Sequence, residues 1–461
     1  MPNSDISKKP IIVIGGVAAG MTAASRARRL KPDAEIFVFE KSGNVSYGSC
    51  GLPYFVSDVI KSPEDLVVYD SKFFKDKRNI DVFLHHEVLK IDPGNQTILV
   101  KNLNTNEEKK YQYDKLLIST GARAVLPPIK GIDLGGVFTL RILEDGVAIK
   151  NYIKKHSPNK ALIVGGGYIG LEMAESLVAS GLKVIIVERM PNILGTMDDE
   201  INEIVESELK RNNVTLIKST SVTEFKGEDT QVKKVILDNG EILDVDIVIV
   251  GVGIRPNSEL AKAAGIELGQ TRAIKVNEQM ETNIPNIYSA GDCVEAYHQV
   301  LERPVYIPLG TTANKQGKVA GENIAGGNAL FKGIVGTAGF KCFDLEIART
   351  GITEKEAKNE GLDYISNVID QGSRAGYYPG GSKIRIKLIA NKSTGRILGA
   401  EMVGKEGVSK RIDVFATAIA AKMTVNDFLN LDLSYAPPFA PVWDPNLIAA
   451  NELKKKFSQS K

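Results

Sequence analysis

The chain has 461 residues, 43% of them hydrophobic and 25% charged, with 58 Lys and Arg against 56 Asp and Glu for a formal charge of +2. These values exclude collagen-like, disordered and disulfide-scaffold classes. The balanced charge gives no general reason to expect nucleic acid or an anionic membrane as partner, although local basic patches remain open. The length suggests roughly two to four domains, and no stretch approaches the ~18 apolar residues of a membrane span.

The first residues, MPNSDISKKP, run into IIVIGG without the apolar region of a secretory signal, so a cytosolic location is expected. A repeat follows, with Ile11 to Glu40 matched by Ala161 to Glu188 at an offset of 150 residues (Ile11 to Ala161). Each copy reads as a strand, a glycine turn, a helix and a second strand ending in Glu, the pattern of a dinucleotide-binding unit that seats a pyrophosphate at its helix N-terminus. The second copy has the full G-x-G-x-x-G as Gly165, Gly167 and Gly170, with Glu188 following 18 residues after Gly170. The first keeps Gly15 and Gly20 but has Val17 at the middle position, where the backbone should approach the phosphates closely.

Between these copies lies SYGSCGLPYFVSDVI, in which Cys50 precedes Pro53 and an amphipathic run. A cysteine just before a helix is expected to have a lowered pKa, because the N-terminal peptide dipoles favour the thiolate. The alternative is a buried, inert small hydrophobe. Cys293 and Cys342, the other two cysteines, read as inert, and no CxxC pair is present. KLLISTGA ends at Gly121, DIVIVGVGIRPN carries Gly251 and Gly253, and TNIPNIYSAGDC delivers Gly291 and Asp292 to a turn. Beyond about Gly327 the pattern changes to strands separated by turns, then an apolar helix DVFATAIAAKM, which reads as a separate α+β domain. The end, LKKKFSQSK, reads as a solvated tail.

Taken together, the glycine turns, TNIPNIYSAGD and the Cys50 segment resemble the flavin-dependent pyridine nucleotide disulfide oxidoreductases, the glutathione reductase-like group, over nearly the whole chain. The resemblance implies an α/β fold with two Rossmann-like nucleotide-binding domains and a C-terminal α+β dimerisation domain. It places an FAD domain over 1–118 and 251–331, an NAD(P)H domain over 119–250 and a dimerisation domain over 332–461. By the same resemblance FAD is held through Gly15, Gly20, Glu40, Lys41, Gly121, Gly291 and Asp292. NAD(P)H is held through Gly165, Gly167, Gly170, Glu188 and Gly253, with Tyr168 gating access of the nicotinamide to the flavin. Glu188 accepts from a ribose 2′-OH and repels a 2′-phosphate, which favours NADH, while the adjacent Arg189 leaves NADPH open.

The family's usual CxxxxC is absent, and the lone Cys50 is similar to the single-cysteine branch of NADH peroxidases, NADH oxidases, coenzyme A disulfide reductases and sulfur reductases. The first glycine turn has Ala18 and Ala19 where the peroxidases and oxidases carry a histidine. SYAPPFAPVWDP resembles the segment of the coenzyme A disulfide reductases that bears a catalytic tyrosine, at Tyr435. The implied activity is NAD(P)H-dependent reduction of a CoA disulfide, or of a CoA persulfide or polysulfide, through Cys50. Tyr435 of the other subunit of a homodimer then acts as proton donor, with Tyr377 or Tyr378 as a second candidate. CoA is expected to bind at Arg26 and Arg29, whose shared helix face at i, i+3 suits its phosphates, and at Ser46, Ser49 and Lys72. The alternatives are an NADH oxidase or peroxidase working through a sulfenic acid at Cys50, and a non-enzymatic flavin-bearing electron-transfer subunit. Some relatives continue into a rhodanese domain; here that function is expected to be missing or supplied by another protein.

Overall fold

A computed structural model describes residues 9–459 of the chain. Its first parallel sheet runs in the order Ile287–Ser289, Lys115–Ile118, Ile11–Ile14, Ile36–Phe39 and Asp81–Phe83. The central strand, IIVI, is buried on both faces, which is why it is uniformly β-branched rather than alternating. Ile11 and Val13 join one apolar cluster and Ile12 and Ile14 the other. A second parallel sheet has the order Thr215–Ile217, Lys183–Val187, Lys160–Val164, Ile247–Val250 and Val137–Phe138. Each of these two sheets has a three-stranded antiparallel meander on one face, His86–Gln112 on the first and Val222–Asp244 on the second.

The glycine turns close in the same way in both units. Gly15 has φ +96, and a Cβ on Gly20 would stand 1.9 Å from the Gly15 carbonyl oxygen. In the second unit Gly165 has φ +105 and the Gly170 Cβ would lie 2.1 Å from the Gly165 oxygen. Only glycine allows the helix to start so close to the strand it leaves. The Ala-rich helix Ala18–Leu30 then packs against Gly310–Ile324 at very short range, because Cβ atoms on Gly317 and Gly321 would meet the backbone oxygens of Ala19 and Ala23 at 2.4 and 2.3 Å.

The C-terminal sheet is antiparallel, in the order Ala338–Cys342, Leu345–Gly351, Ile397–Gly404, Lys383–Asn391 and Tyr364–Gly372. The helix Val408–Ala420, expected from its apolar pattern, covers it through Ile412, Phe415 and Ile419. The chain end departs from expectation. Through Gln459 it is a helix, Pro445–Gln459, that buries Leu453 and packs Phe457 on the same core, so Lys454, Lys455 and Lys456 occupy its outer face; the last two residues of the expected tail lie outside the described residues. Among the described residues no helix is long and apolar enough to cross a membrane.

Candidate active site

The two glycine turns end in matching carboxylate cradles. Glu40, at the end of its strand, accepts hydrogen bonds from the Gly16 amide (2.7 Å) and from the Ser42 amide and hydroxyl (both 2.8 Å). Glu188 accepts from the Gly166 amide (2.7 Å) and the Met190 amide (2.8 Å). The following loops return alike, with Ser46 and Leu194 donating to the Gly16 and Gly166 carbonyls at 2.9 Å and both taking positive φ, 50 and 46. Lys41 is exposed beside the first cradle. A Cβ on Gly167 would meet nothing within 4 Å. The middle glycine is therefore not required by the protein's own packing, and Val17, half-buried against a neighbouring cluster, keeps the first turn in the same shape.

The two chain crossings between the units lie side by side, Ala122–Ala124 pairing with Ile254–Pro256. Gly121 (φ +66) and Gly253 (φ +118) stand at their ends. Asp292 is paired with Arg141, whose Nε also donates to the Ala122 carbonyl at 3.3 Å, and the Asp292 carbonyl accepts from the Tyr306 hydroxyl at 2.8 Å. Gly291 has φ +89, and its amide donates to Gln316 Oε1 at 2.9 Å. Gln316 is buried and its Nε2 has no partner. An orphaned donor at this position costs free energy unless a bound group accepts from it. The donor and the cradle of Gly15, Gly20 and Glu40 fit a dinucleotide laid across the first unit.

Cys50 lies in a short turn, Ser49–Gly51, immediately before the helix Leu52–Val56. Cys293 and Cys342 are buried, while Cys50 reaches solvent. The expected lowering of its pKa does not appear in the polypeptide. The atoms packed around the thiol push it up, Glu172 adds to that shift, and Arg141 opposes it. A helix of five residues has too short a row of peptide dipoles to outweigh these terms. Glu172 is on the helix Tyr168–Ala179, which packs on the Cys50 segment; one turn further along the same face, the Ser176 hydroxyl donates to the Pro53 carbonyl at 2.8 Å. Burial and the neighbouring Glu175 push the Glu172 carboxyl up to about 7.

The basic residues on the first unit are less alike than their spacing suggests. Arg26 donates to Glu322 at 2.5 and 3.1 Å, whereas Arg29 is exposed on the same helix. Lys72 is exposed in the helix Ser71–Arg78, whose Arg78 lies over the Tyr69 and Phe73 rings at 5.2 Å. Ser49 opens the turn that carries Cys50, and Ser46 lies three residues before Ser49.

In the C-terminal domain the hydroxyls of Tyr435 and Tyr377 are 2.8 Å apart. Tyr378 instead turns back through its amide to Ala375. The buried Arg411 ties the two tyrosine-bearing segments together, donating to the carbonyls of Ser373 (3.0 Å) and Phe439 (2.9 Å) and to Asp444 (2.9 Å). Around the pair Phe439, Val442 and Trp443 are largely exposed, at 76%, 67% and 65%. Among the described residues no hydrogen bond links either tyrosine to Cys50 of the same chain.

Paired dinucleotide cradles around one exposed thiol define an oxidoreductase that carries electrons from a nucleotide to sulfur. The chain belongs to the pyridine nucleotide-disulphide oxidoreductase family, whose model matches residues 9–317, and the dimerisation domain of that family matches residues 337–446. It is 44% identical to the NAD(P)H sulfur oxidoreductase (CoA-dependent) of Pyrococcus abyssi over 97% of this chain and 98% of that one. It is 37% identical to the coenzyme A disulfide reductase of Staphylococcus haemolyticus over 94% of this chain and 96% of the relative. The crystal structure of reduced Bacillus anthracis CoADR-RHD superposes with a TM-score of 0.95 at 38% identity, covering 99% of this chain and 82% of that one. The resemblance carried by the glycine turns and the Cys50 segment holds.

Proposed function

We propose that the protein is an FAD-dependent NAD(P)H oxidoreductase that reduces CoA disulfide, or a CoA persulfide or polysulfide, through Cys50. The observation that carries this reading is the lone solvent-reaching thiol within reach of the Arg141 and Asp292 charges, in a chain that folds two glutamate-capped glycine cradles. The names of relatives spanning nearly the whole chain support it. Glu40, Asp292, Gly291 and Gln316 are the residues to hold FAD, which when bound relays an electron pair from NAD(P)H to sulfur.

The Cys50 thiolate attacks one sulfur of the CoA disulfide. The S–S bond breaks, Cys50 is left bonded to one CoA, and the departing CoA thiolate takes a proton. The two electrons from NAD(P)H then cleave the Cys50–CoA bond, returning the Cys50 thiolate and releasing the second CoA as a thiolate that takes up a proton. Tyr435, bonded to Tyr377, is the proton donor to the first leaving thiolate. It does this from the second subunit of a homodimer, where the exposed Tyr377, Phe439 and Trp443 cover the Cys50 site of the other chain. Arg29, Lys72, Ser46 and Ser49 are the residues for the CoA phosphates and pantetheine. Arg26 reaches them by exchanging Glu322 for phosphate. Three unpaired thiols suit a reducing compartment such as the cytosol. The test is the mass of the intact protein before and after reduction: loss of one CoA-sized adduct supports the reading, and loss of a single oxygen, as from a sulfenic acid, argues for the oxidase alternative.

A further inference from the structure

Tyr168 opens the helix that follows the second glycine turn, and its hydroxyl lies 3.0 Å from Thr196 Oγ1. Its ring packs against Phe340 of the C-terminal sheet at 4.7 Å between centroids. Thr196 is on the loop that returns from Glu188, and its carbonyl accepts a hydrogen bond from Arg349, a buried residue of the C-terminal sheet. Arg349 is itself fixed by Glu356 at 2.6 Å and by the Gly351 carbonyl at 3.1 Å.

The fastening continues along the loop. The Asp198 amide donates to Glu401 at 3.0 Å, and the Asp198 carboxylate accepts from the Glu354 amide (2.8 Å), the Lys355 amide (3.2 Å) and Lys387 (3.1 Å). Lys387 also binds Glu200 and Glu354, at 2.8 and 2.7 Å. Thr196 thus stands on a loop whose backbone is set by a different domain from the one that carries Tyr168. Its own side chain reaches solvent, whereas the Tyr168 ring packs on the apolar cluster around the second sheet.

We propose that Thr196 is a positioning residue that latches Tyr168 in its resting place, with Arg349 holding the latch, so that the C-terminal domain sets how readily the nicotinamide site opens. The inference rests on reading Tyr168 as the gate of that site. The nucleotide must break the Tyr168–Thr196 bond before it seats, so the bond opposes binding by its own net strength.

The test uses the FAD-loaded protein and a non-reducing tetrahydro-NADH as probe. Thr196→Val and Tyr168→Phe are each expected to lower its dissociation constant about two- to tenfold, the range of one net hydrogen bond. The double variant is expected to go no further than either single one, since both remove the same bond. Thr196→Ser, which keeps the hydroxyl, is expected to restore the wild-type constant, and the change falls on binding rather than on the limiting rate of flavin reduction by NADH. A wild-type constant in Thr196→Val, or effects that add in the double variant, overturns the latch while leaving the gate standing. An unchanged constant in Tyr168→Ala overturns the gate, and the latch with it.

Discussion

The Tyr377 and Tyr435 hydroxyls, 58 residues apart in the chain, meet at 2.8 Å, and Arg411 fixes both of their segments. The bond to Tyr377 raises the Tyr435 pKa, so the phenol stays protonated and able to donate to higher pH. Tyr435→Phe is expected to slow CoA disulfide reduction by about 10²- to 10⁴-fold. Tyr377→Phe is expected to cost less and to move the alkaline limb of the kcat/KM profile to lower pH, because Tyr435 then loses the bond that holds its proton. An unmoved limb would contradict this assignment.

Glu172 gives Cys50 a pH dependence of its own. Below about 7 the carboxyl is protonated and does not repel the thiolate; above it, the carboxylate disfavours thiolate formation. Glu172→Gln removes that charge. Iodoacetamide is expected to alkylate Cys50 of the reduced variant severalfold faster than the native protein at pH 8, and at nearly the same rate at pH 6. Equal rates at both values would show that the two groups do not interact.

Glycines of the two turns differ in what they tolerate. At Gly20 an added Cβ would lie 1.9 Å from a backbone oxygen, so Gly20→Ala is expected to destabilise the fold by at least about 1–3 kcal/mol. Gly167 has open space around its Cβ position and an extended backbone at φ -82. Gly167→Ala is therefore expected to melt like the native protein but to bind NADH more weakly. Thermal denaturation with a parallel NADH titration separates the two effects.

Glu188, the residue proposed to meet the ribose, is held by two backbone amides at the end of the second cradle. NADH is expected to exceed NADPH in kcat/KM, and Glu188→Ala to narrow the ratio by removing repulsion from the 2′-phosphate, leaving Arg189 to attract it. A native preference for NADPH would contradict the role given to Glu188.

Much of this architecture is legible in the sequence because it rests on local rules. A buried parallel strand, a glycine turn and a terminal Glu lie within thirty residues or so of one another in each copy. The exposed cysteine before a short helix and the apolar helix over the last sheet follow from equally local patterns. What escapes is long-range. Arg141 meets Asp292 across 151 residues, and Gln316 meets Gly291 from a helix 25 residues further along the chain. The thiol of Cys50 departs from a helix-dipole argument because the atoms packed around it raise its pKa, with Glu172, on a helix of the other unit, adding to the shift. Adjacent tyrosines at 377 and 378 are indistinguishable by composition; only the fold of the Ser373–Ser382 loop sends Tyr377 to Tyr435. The lysine-rich end is helical because Leu453 and Phe457 find a core that the end itself does not reveal.

The central claim is that electrons reach substrate only through the sulfur of Cys50, and anaerobic single-turnover mixing of Cys50→Ser with NADH and then CoA disulfide tests it most directly. Flavin absorbance is expected to bleach with NADH as in the native protein and then to stay bleached on addition of CoA disulfide, with no CoA thiol released. Reoxidation of the flavin by CoA disulfide with release of CoA thiol in that variant would contradict the account.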